Sequence, residues 1–279
     1  MTMQDFIVEI GTEELPPKAL KKLSIAFSEG ILKGLKDAGI CHGETASYAS
    51  PRRLALVINE LQTQQPDKAV EKRGPSKQAA FDAQGQATRA LTGFTNSLGI
   101  NPDQLEEMDT PKGTWLVYRS TEAGHTTQAL IGDIVNQSLA DLPIPKRMRW
   151  GAEKVEFVRP VQWIVMLLGN DVVEGKTLGI RHGKTTRGHR FHSTGDISIE
   201  SPSTYAQQLL DEGKVIADYE IRKEKIRKGV TQAAENVGGL AIIDEDLLDE
   251  VCALNEWPVP LVGKFDVEFL QVPAEALIS

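Results

Sequence analysis

The stretch Phe6-Ile7-Val8-Glu9-Ile10-Gly11-Thr12-Glu13-Glu14-Leu15-Pro16-Pro17 decides how this chain is read. Its opening run, Phe6 to Ile10, has the composition of a short buried strand, and Gly11 closes it. The two prolines stand where a helix can begin, because the first helical turn leaves its N–H groups unpaired in any case. Beyond them Leu20, Leu23, Phe27, Ile31 and Leu35 recur at steps of three and four. That spacing predicts one apolar stripe of an amphipathic helix over 16–38, ended by Gly39. Glu13 and Glu14 fall near the positive end of this helix, and Lys33 and Lys36 near the negative end, as the helix dipole favours.

Outward from this unit the chain alternates strands with helices of mixed length. Leu54 to Ile58 is an unbroken apolar run that reads as a strand, whereas residues 62–77 show no apolar periodicity and are predicted to be an exposed connection. A helical stretch follows at 87–98, then a strand at Trp115 to Tyr118. Next comes a helix marked by Leu130, Ile131, Ile134, Val135 and Leu139, stopped by Pro143 and Pro145. Strands are predicted at 163–168 and 172–178, joined by the turn dipeptide Gly169-Asn170. Past residue 200 the texture becomes helical. Asp218 is placed to cap a helix running to Glu235, with Ile221, Ile226 and Val230 as its apolar side, and Gly238-Gly239 end it. The acids Asp244-Glu245-Asp246 are suited to the first turn of another helix bearing Leu247, Leu248, Val251 and Leu254. This pattern predicts an α+β fold, with mixed or antiparallel sheet elements packed against helices. The domain expectation is an α+β region over 1–200 and a mainly helical continuation over 201–279.

Composition sets outer bounds. The 279 residues are 41% hydrophobic and 25% charged, ordinary for a globular protein that can bury a sizeable core. With 31 Lys+Arg against 39 Asp+Glu the net charge is −8, which argues against a surface that is basic throughout. Apolar runs such as Val161 to Leu168 are far shorter than the roughly 20 residues of a membrane span. The start, Met-Thr-Met-Gln-Asp, leads directly into a strand, so no signal peptide and a cytoplasmic location are expected. Cys41 and Cys252 are too few for a disulfide scaffold or a four-cysteine zinc site, and read as small apolar residues.

One window departs from this balance. Residues 146–192 hold ten Lys+Arg against four acids, a local charge of +6 that leaves −14 for the rest of the chain. Arginine presents a forked donor that matches phosphate, and Gly183 and Gly188 allow close backbone approach to a ligand. With Trp150, Trp163 and Phe191 nearby, the window suits a phosphate-backbone footprint. It equally suits a solvated basic face paired with acids elsewhere, and composition does not choose between them. His182, His189 and His192 do not form a zinc site on this reading, because Arg187 and Arg190 stand among them and oppose a cation. No dinucleotide fingerprint, phosphate loop, nucleophile elbow or other self-contained catalytic motif is found. No catalytic residue, metal or cofactor is therefore assigned to the chain.

Several stretches together resemble the β subunit of the bacterial two-subunit glycyl-tRNA synthetase. They are Val8-Glu9-Ile10-Gly11-Thr12-Glu13-Glu14-Leu15-Pro16, Ser50-Pro51-Arg52-Arg53-Leu54-Ala55, Arg73-Gly74-Pro75 with Ala80-Phe81-Asp82, and Met148-Arg149-Trp150-Gly151. Phe157-Val158-Arg159-Pro160-Val161-Gln162-Trp163, Thr186-Arg187-Gly188-His189-Arg190-Phe191, Glu256-Trp257-Pro258 and Phe269-Leu270 with Pro273 continue the likeness in the same order. Family members continue into an HD-type helical domain and an anticodon-binding domain, so the resemblance implies an N-terminal fragment. It also implies a role in glycyl-tRNA formation by tRNA-Gly binding and by assembly with the α subunit, through β–β or α2β2 assembly in a heterotetramer. Aminoacylation chemistry, with ATP and magnesium, is then expected on the α subunit, and the isolated chain is expected to be inactive.

Residues where the resemblance and the basic window coincide are Arg147, Arg149, Arg187, His189 and Arg190. They are the main candidates for nucleic-acid contact. Arg52 and Arg53 are secondary candidates, since they precede a buried strand and could solvate its start or pair with Glu13 or Glu14. Trp150, Trp163 and Trp257 read as core or interface residues rather than base-stacking platforms. A scaffold that binds the α subunit without touching RNA, or an editing-type module, are the alternatives.

Overall fold

A computed structural model describes residues 2–152, 154–273 and 276. In chain order the first elements are β1 (Met3–Thr12), α1 (Pro17–Asp37), β2 (Thr45–Ser50), β3 (Arg53–Gln62) and β4 (Lys68–Ser76). After them come α2 (Lys77–Ala80), α3 (Arg89–Leu98), β5 (Glu106–Thr110), β6 (Gly113–Glu122) and α4 (Thr127–Ala140). Short strands follow: β7 (Met148–Arg149), β8 (Glu156–Phe157), β9 (Val161–Leu168), β10 (Asp171–Val172), β11 (Lys176–Thr177), β12 (Ile180–Gly183), β13 (Thr185–Arg187) and β14 (Asp196–Ser198). The last helices are α5 (Tyr205–Asp211), α6 (Tyr219–Glu235) and α7 (Glu245–Leu254). The architecture is α+β, as the alternation of elements predicts.

Two compact units divide the chain at positions that the sequence does not mark. One comprises 1–63 with 128–279, and the other is the intervening 64–127. Residues on both sides of 200 lie within the first unit. The smaller unit is a three-stranded antiparallel sheet in the order β4-β6-β5, with Ala80, Leu91 and Leu116 as its buried centre. Residues 62–77 are thus not simply a connection. Residues 68–76 pair with β6, and their mostly exposed side chains explain why no apolar period announces the strand.

The larger unit is built on a sheet in the order β11-β12-β9-β1-β3-β2, with β10 paired to β9. All of these pairs are antiparallel except β12 with β9. Strand alternation sends Phe6, Val8 and Ile10 of β1 to one face, where they meet Leu20, Leu23, Phe27, Ile31 and Leu35 of α1 together with Ile131 and Val135 of α4. All five stripe residues of α1 are buried, so the sequence reading of that face holds. Close approach of α1 to α4 depends on Gly30, where a Cβ would come within 2.4 Å of Ser138 Oγ, whose own hydroxyl donates to the Phe27 carbonyl at 2.8 Å. Ile7 faces the opposite side, with Trp163, Val165, Ile197, Tyr205 and Val215. The sheet is therefore covered on both faces.

Several local expectations are corrected. Helix α1 has no acid in its first turn; Glu13 and Glu14 lie before it and face Arg190 instead. The run 172–178 is split into β10 and β11 by Gly175, whose φ of 149° no strand residue with a side chain readily adopts. Asp218 and Asp244 cap α6 and α7, accepting from the N–H groups of Ile221 and Leu247 at 2.9 and 2.8 Å. Yet Ile221 and Val230 are exposed, and the inner face of α6 is Tyr219, Arg222 and Ile226. Arg222 turns inward because five carbonyl groups, those of Ala49, Ile216, Ala217, Asp218 and Cys252, accept from its guanidinium. Cys252 is buried as expected, but Cys41 is exposed.

Candidate nucleic-acid interface

The site starts from two carboxylates that sequence periodicity hides. Glu9 lies in the middle of β1 and is fully buried on the Ile7 face of the sheet. A buried carboxylate needs donors. Trp163 Nε1, the Thr186 hydroxyl and the Tyr205 hydroxyl all donate to it. The Tyr205 phenol is pushed well above its ordinary pKa by burial and by the neighbouring Glu9 charge, which keeps it a donor. Bonds from β9, β13 and α5 thus converge on one side chain of β1.

Glu256, just after α7, is the second. It accepts from Ser50 Oγ at 2.9 Å and pairs with Arg52 at 3.0 Å and Arg53 at 3.4 Å. Burial opposes its ionised form, but the Arg53 and Arg52 charges, with the bonds from Arg52 and Ser50, hold its carboxyl below the ordinary value. The two arginines also reach forward. Arg52 donates to the Gly188 carbonyl at 2.7 Å, and Arg53 donates to the Arg187 carbonyl at 2.8 Å. This buried network grips the backbone at the end of β13 and fixes where the loop 188–195 leaves the sheet. Arg53 has no exposure and Arg52 only 9%, and both pair with Glu256 rather than with Glu13 or Glu14. The Arg53 guanidinium is enclosed by this network, whereas Arg52 also lines the cavity beside the loop.

The gripped loop brings three of the main candidates together. Arg187, His189 and Arg190 line one cavity of about 340 Å³ with Thr12, Arg52 and Trp163. Arg187 lies over the Trp163 ring at 5.4 Å and pairs loosely with Asp196 at 3.7 Å. Arg190 pairs with Glu13 at 3.1 Å and Glu14 at 3.9 Å. Both arginines remain about half exposed (51% and 50%), so these pairs leave the cations accessible. His189 Nδ1 accepts the N–H groups of Phe191 and His192, each at 3.2 Å. Burial lowers the His189 pKa, favouring the neutral ring, whose proton then sits on Nε2.

Arg147 and Arg149 line no part of this cavity. Arg147 donates to the carbonyls of Leu139 and Ala140 at 3.3 and 2.8 Å, a cation at the C-terminal end of α4. Arg149 pairs across the β7–β8 ribbon with Glu156 at 2.5 Å while keeping 67% exposure. Trp163 is buried, Trp150 packs against the main core, and Trp257 carries the Lys225 ammonium over its face at 4.4 Å. Sequence reasoning missed Glu9, Thr12, Tyr205 and the pairing role of Glu256. An acid inside an apolar strand was the one available signal for Glu9.

The arrangement is a cluster of accessible cations on a loop that buried ion pairs hold rigidly, and the chain's relatives account for its motifs. Residues 6–279 match the family described as glycyl-tRNA synthetase beta subunit. The chain belongs to that family. It is 60% identical over its whole length to the glycine–tRNA ligase beta subunit of Marinobacter nauticus, 54% to that of Hahella chejuensis and 49% to that of Yersinia pestis. In each case it covers 40% of the relative, so the chain spans about two fifths of the length of the curated relatives it matches. Among the described residues of this family member no helix is long and apolar enough to cross a membrane.

Proposed function

We propose that this chain is a tRNA-binding and assembly segment of a glycine–tRNA ligase beta subunit. ATP, magnesium and the bond-making steps belong to the α subunit on this reading, and the complex is a cytoplasmic α2β2 heterotetramer. The observation that carries RNA binding is the loop with Arg187, His189 and Arg190, whose cations stay exposed while Arg52, Arg53 and Glu256 hold its backbone. Phosphate contacts position an RNA without reading its sequence. Arg149 is a further exposed cation available to the backbone, whereas Arg147 is engaged at a helix end. Assembly with an α subunit is supported by the family match, whose relatives are named as beta subunits.

The test uses the paired variant Arg187→Ala with Arg190→Ala in the full two-subunit enzyme. Affinity for tRNA-Gly is measured against salt, and glycine-dependent ATP–pyrophosphate exchange is measured without tRNA. The expected result is weaker tRNA binding and a shallower salt slope, by roughly 0.7–0.9 for each phosphate that is no longer neutralised, with exchange intact. Unchanged affinity together with failure of the α subunit to copurify would assign these arginines to the scaffold instead. Robust exchange by the 279-residue chain alone would refute the placement of the chemistry on the α subunit.

A further inference from the structure

One side chain of the basic loop is left over by everything described so far. Phe191 is 84% exposed, although the loop that carries it is anchored at its base. Its ring stands 6.1 Å from that of His189, which in turn stacks on His192 at 4.3 Å and 25°. A phenyl ring so exposed to water buries little apolar surface within the chain.

Two adjoining cavities explain its position. The 340 Å³ cavity with Thr12 and Trp163 shares Arg52, His189 and Arg190 with a second cavity of about 160 Å³ that Phe191 lines. The shared residues form a partition between two compartments, the second of which carries the Phe191 ring. In the first compartment Thr12 is 1% exposed and its buried Oγ1 has no hydrogen-bond partner among the described residues. Such an orphaned hydroxyl costs free energy unless something supplies its bond. Beside it stand Arg187 and Arg190, and His189 Nε2, the ring nitrogen left to donate once Nδ1 has accepted two N–H groups.

One side of the partition carries the His189 Nε2 donor with Arg187 and Arg190, half-exposed cations that their lining partners Asp196 and Glu13 leave accessible. The other side carries an exposed ring, and together they match the two halves of a nucleotide. We propose that the paired cavities hold one unpaired nucleotide of an RNA strand, its base stacked on Phe191 and its phosphate against Arg187, Arg190 and the Thr12 hydroxyl. This rests on the RNA-binding reading above and specifies the element bound. A base within a duplex has both faces covered by its neighbours and cannot reach a ring at a loop tip, whereas an unstacked base can.

The experiment is fluorescence anisotropy of the 279-residue chain with a labelled single-stranded RNA of about eight nucleotides, beside a blunt duplex of the same sequence. Phe191→Leu keeps apolar bulk at an exposed position, so folding is not at issue. It should weaken the single strand by roughly 5- to 150-fold, the range for loss of one stacked base, and leave the duplex unchanged. Thr12→Val, of the same shape without the hydroxyl, should also weaken the single strand selectively. Equal weakening of strand and duplex by Phe191→Leu overturns the assignment to an unpaired nucleotide. Wild-type affinity of Phe191→Leu, with Arg187→Ala/Arg190→Ala still weakened, overturns the stacking while leaving RNA binding standing. Failure of the unmodified chain to bind either RNA at low salt overturns both.

Discussion

Replacing Glu256 by Ala is the sharpest test of how the basic loop is held. The carboxylate lies 3.0 Å from Arg52 and 3.4 Å from Arg53, and accepts from Ser50 at 2.9 Å. With an effective dielectric constant of about 20, each of the two attractions is about 5 kcal/mol, but desolvation of three ions cancels much of that sum. Truncation does not recover the desolvation, because Arg53 has no exposure and cannot turn to water. The expected loss is therefore that of a broken buried pair, about 3–5 kcal/mol, a large share of a typical stability of about 5–15 kcal/mol. Glu256→Gln keeps shape and hydrogen bonding to Ser50 and Arg52 while removing the charge, and should cost less, about 1.5–3 kcal/mol. Since β3 lies within the larger unit, the assay is native-state amide exchange at β3. A loss below about 1 kcal/mol for Glu256→Ala would refute the argument that this carboxylate neutralises Arg52 and Arg53.

The other predictions concern packing and protonation. Phe27→Ala, removing a ring only 1% exposed between α1 and the sheet, should destabilise by about 3–5 kcal/mol in urea titration, and a surface-like effect would contradict the assignment of that face. Gly11→Ala would place a Cβ 1.9 Å from Trp163 Cε2, so a loss of at least about 1–3 kcal/mol and an altered near-ultraviolet signal from Trp163 are expected. On acidification, burial holds the pKa values of His182 and His189 below the unfolded value of 6.5, so the unfolded chain takes up protons first. Their stabilising contribution is full above about pH 6.5 and is lost as pH falls through the lower folded values, and His182→Gln should flatten that part of a melting-temperature profile. A second decline should begin below about pH 4.5, where Glu256 is held ionised in the folded state; a profile flat from pH 7 to 4 would contradict both assignments.

What the sequence determined by itself is whatever depends on near neighbours. The strand at Phe6 to Ile10, the stripe from Leu20 to Leu35 and the caps Asp218 and Asp244 are all legible, because periodicity and capping act over a few residues. The basic window is visible for the same reason, and so are Arg187, His189 and Arg190 as candidates. The structure alone decided which of those charges meet. Arg52 and Glu256 are 204 positions apart, and nothing in the local pattern of either announces the other. Strand β4 escapes a periodicity reading because its side chains are exposed and carry no alternation. Ile221 reads as an inner residue because Arg222 turns inward only for carbonyl partners that the fold supplies. Glu9 looks like one polar letter in an apolar strand until Trp163, Thr186 and Tyr205 are brought to it from three distant elements. Burying a charge is tolerable only when donors arrive with it, and their arrival is a property of topology, not of any segment.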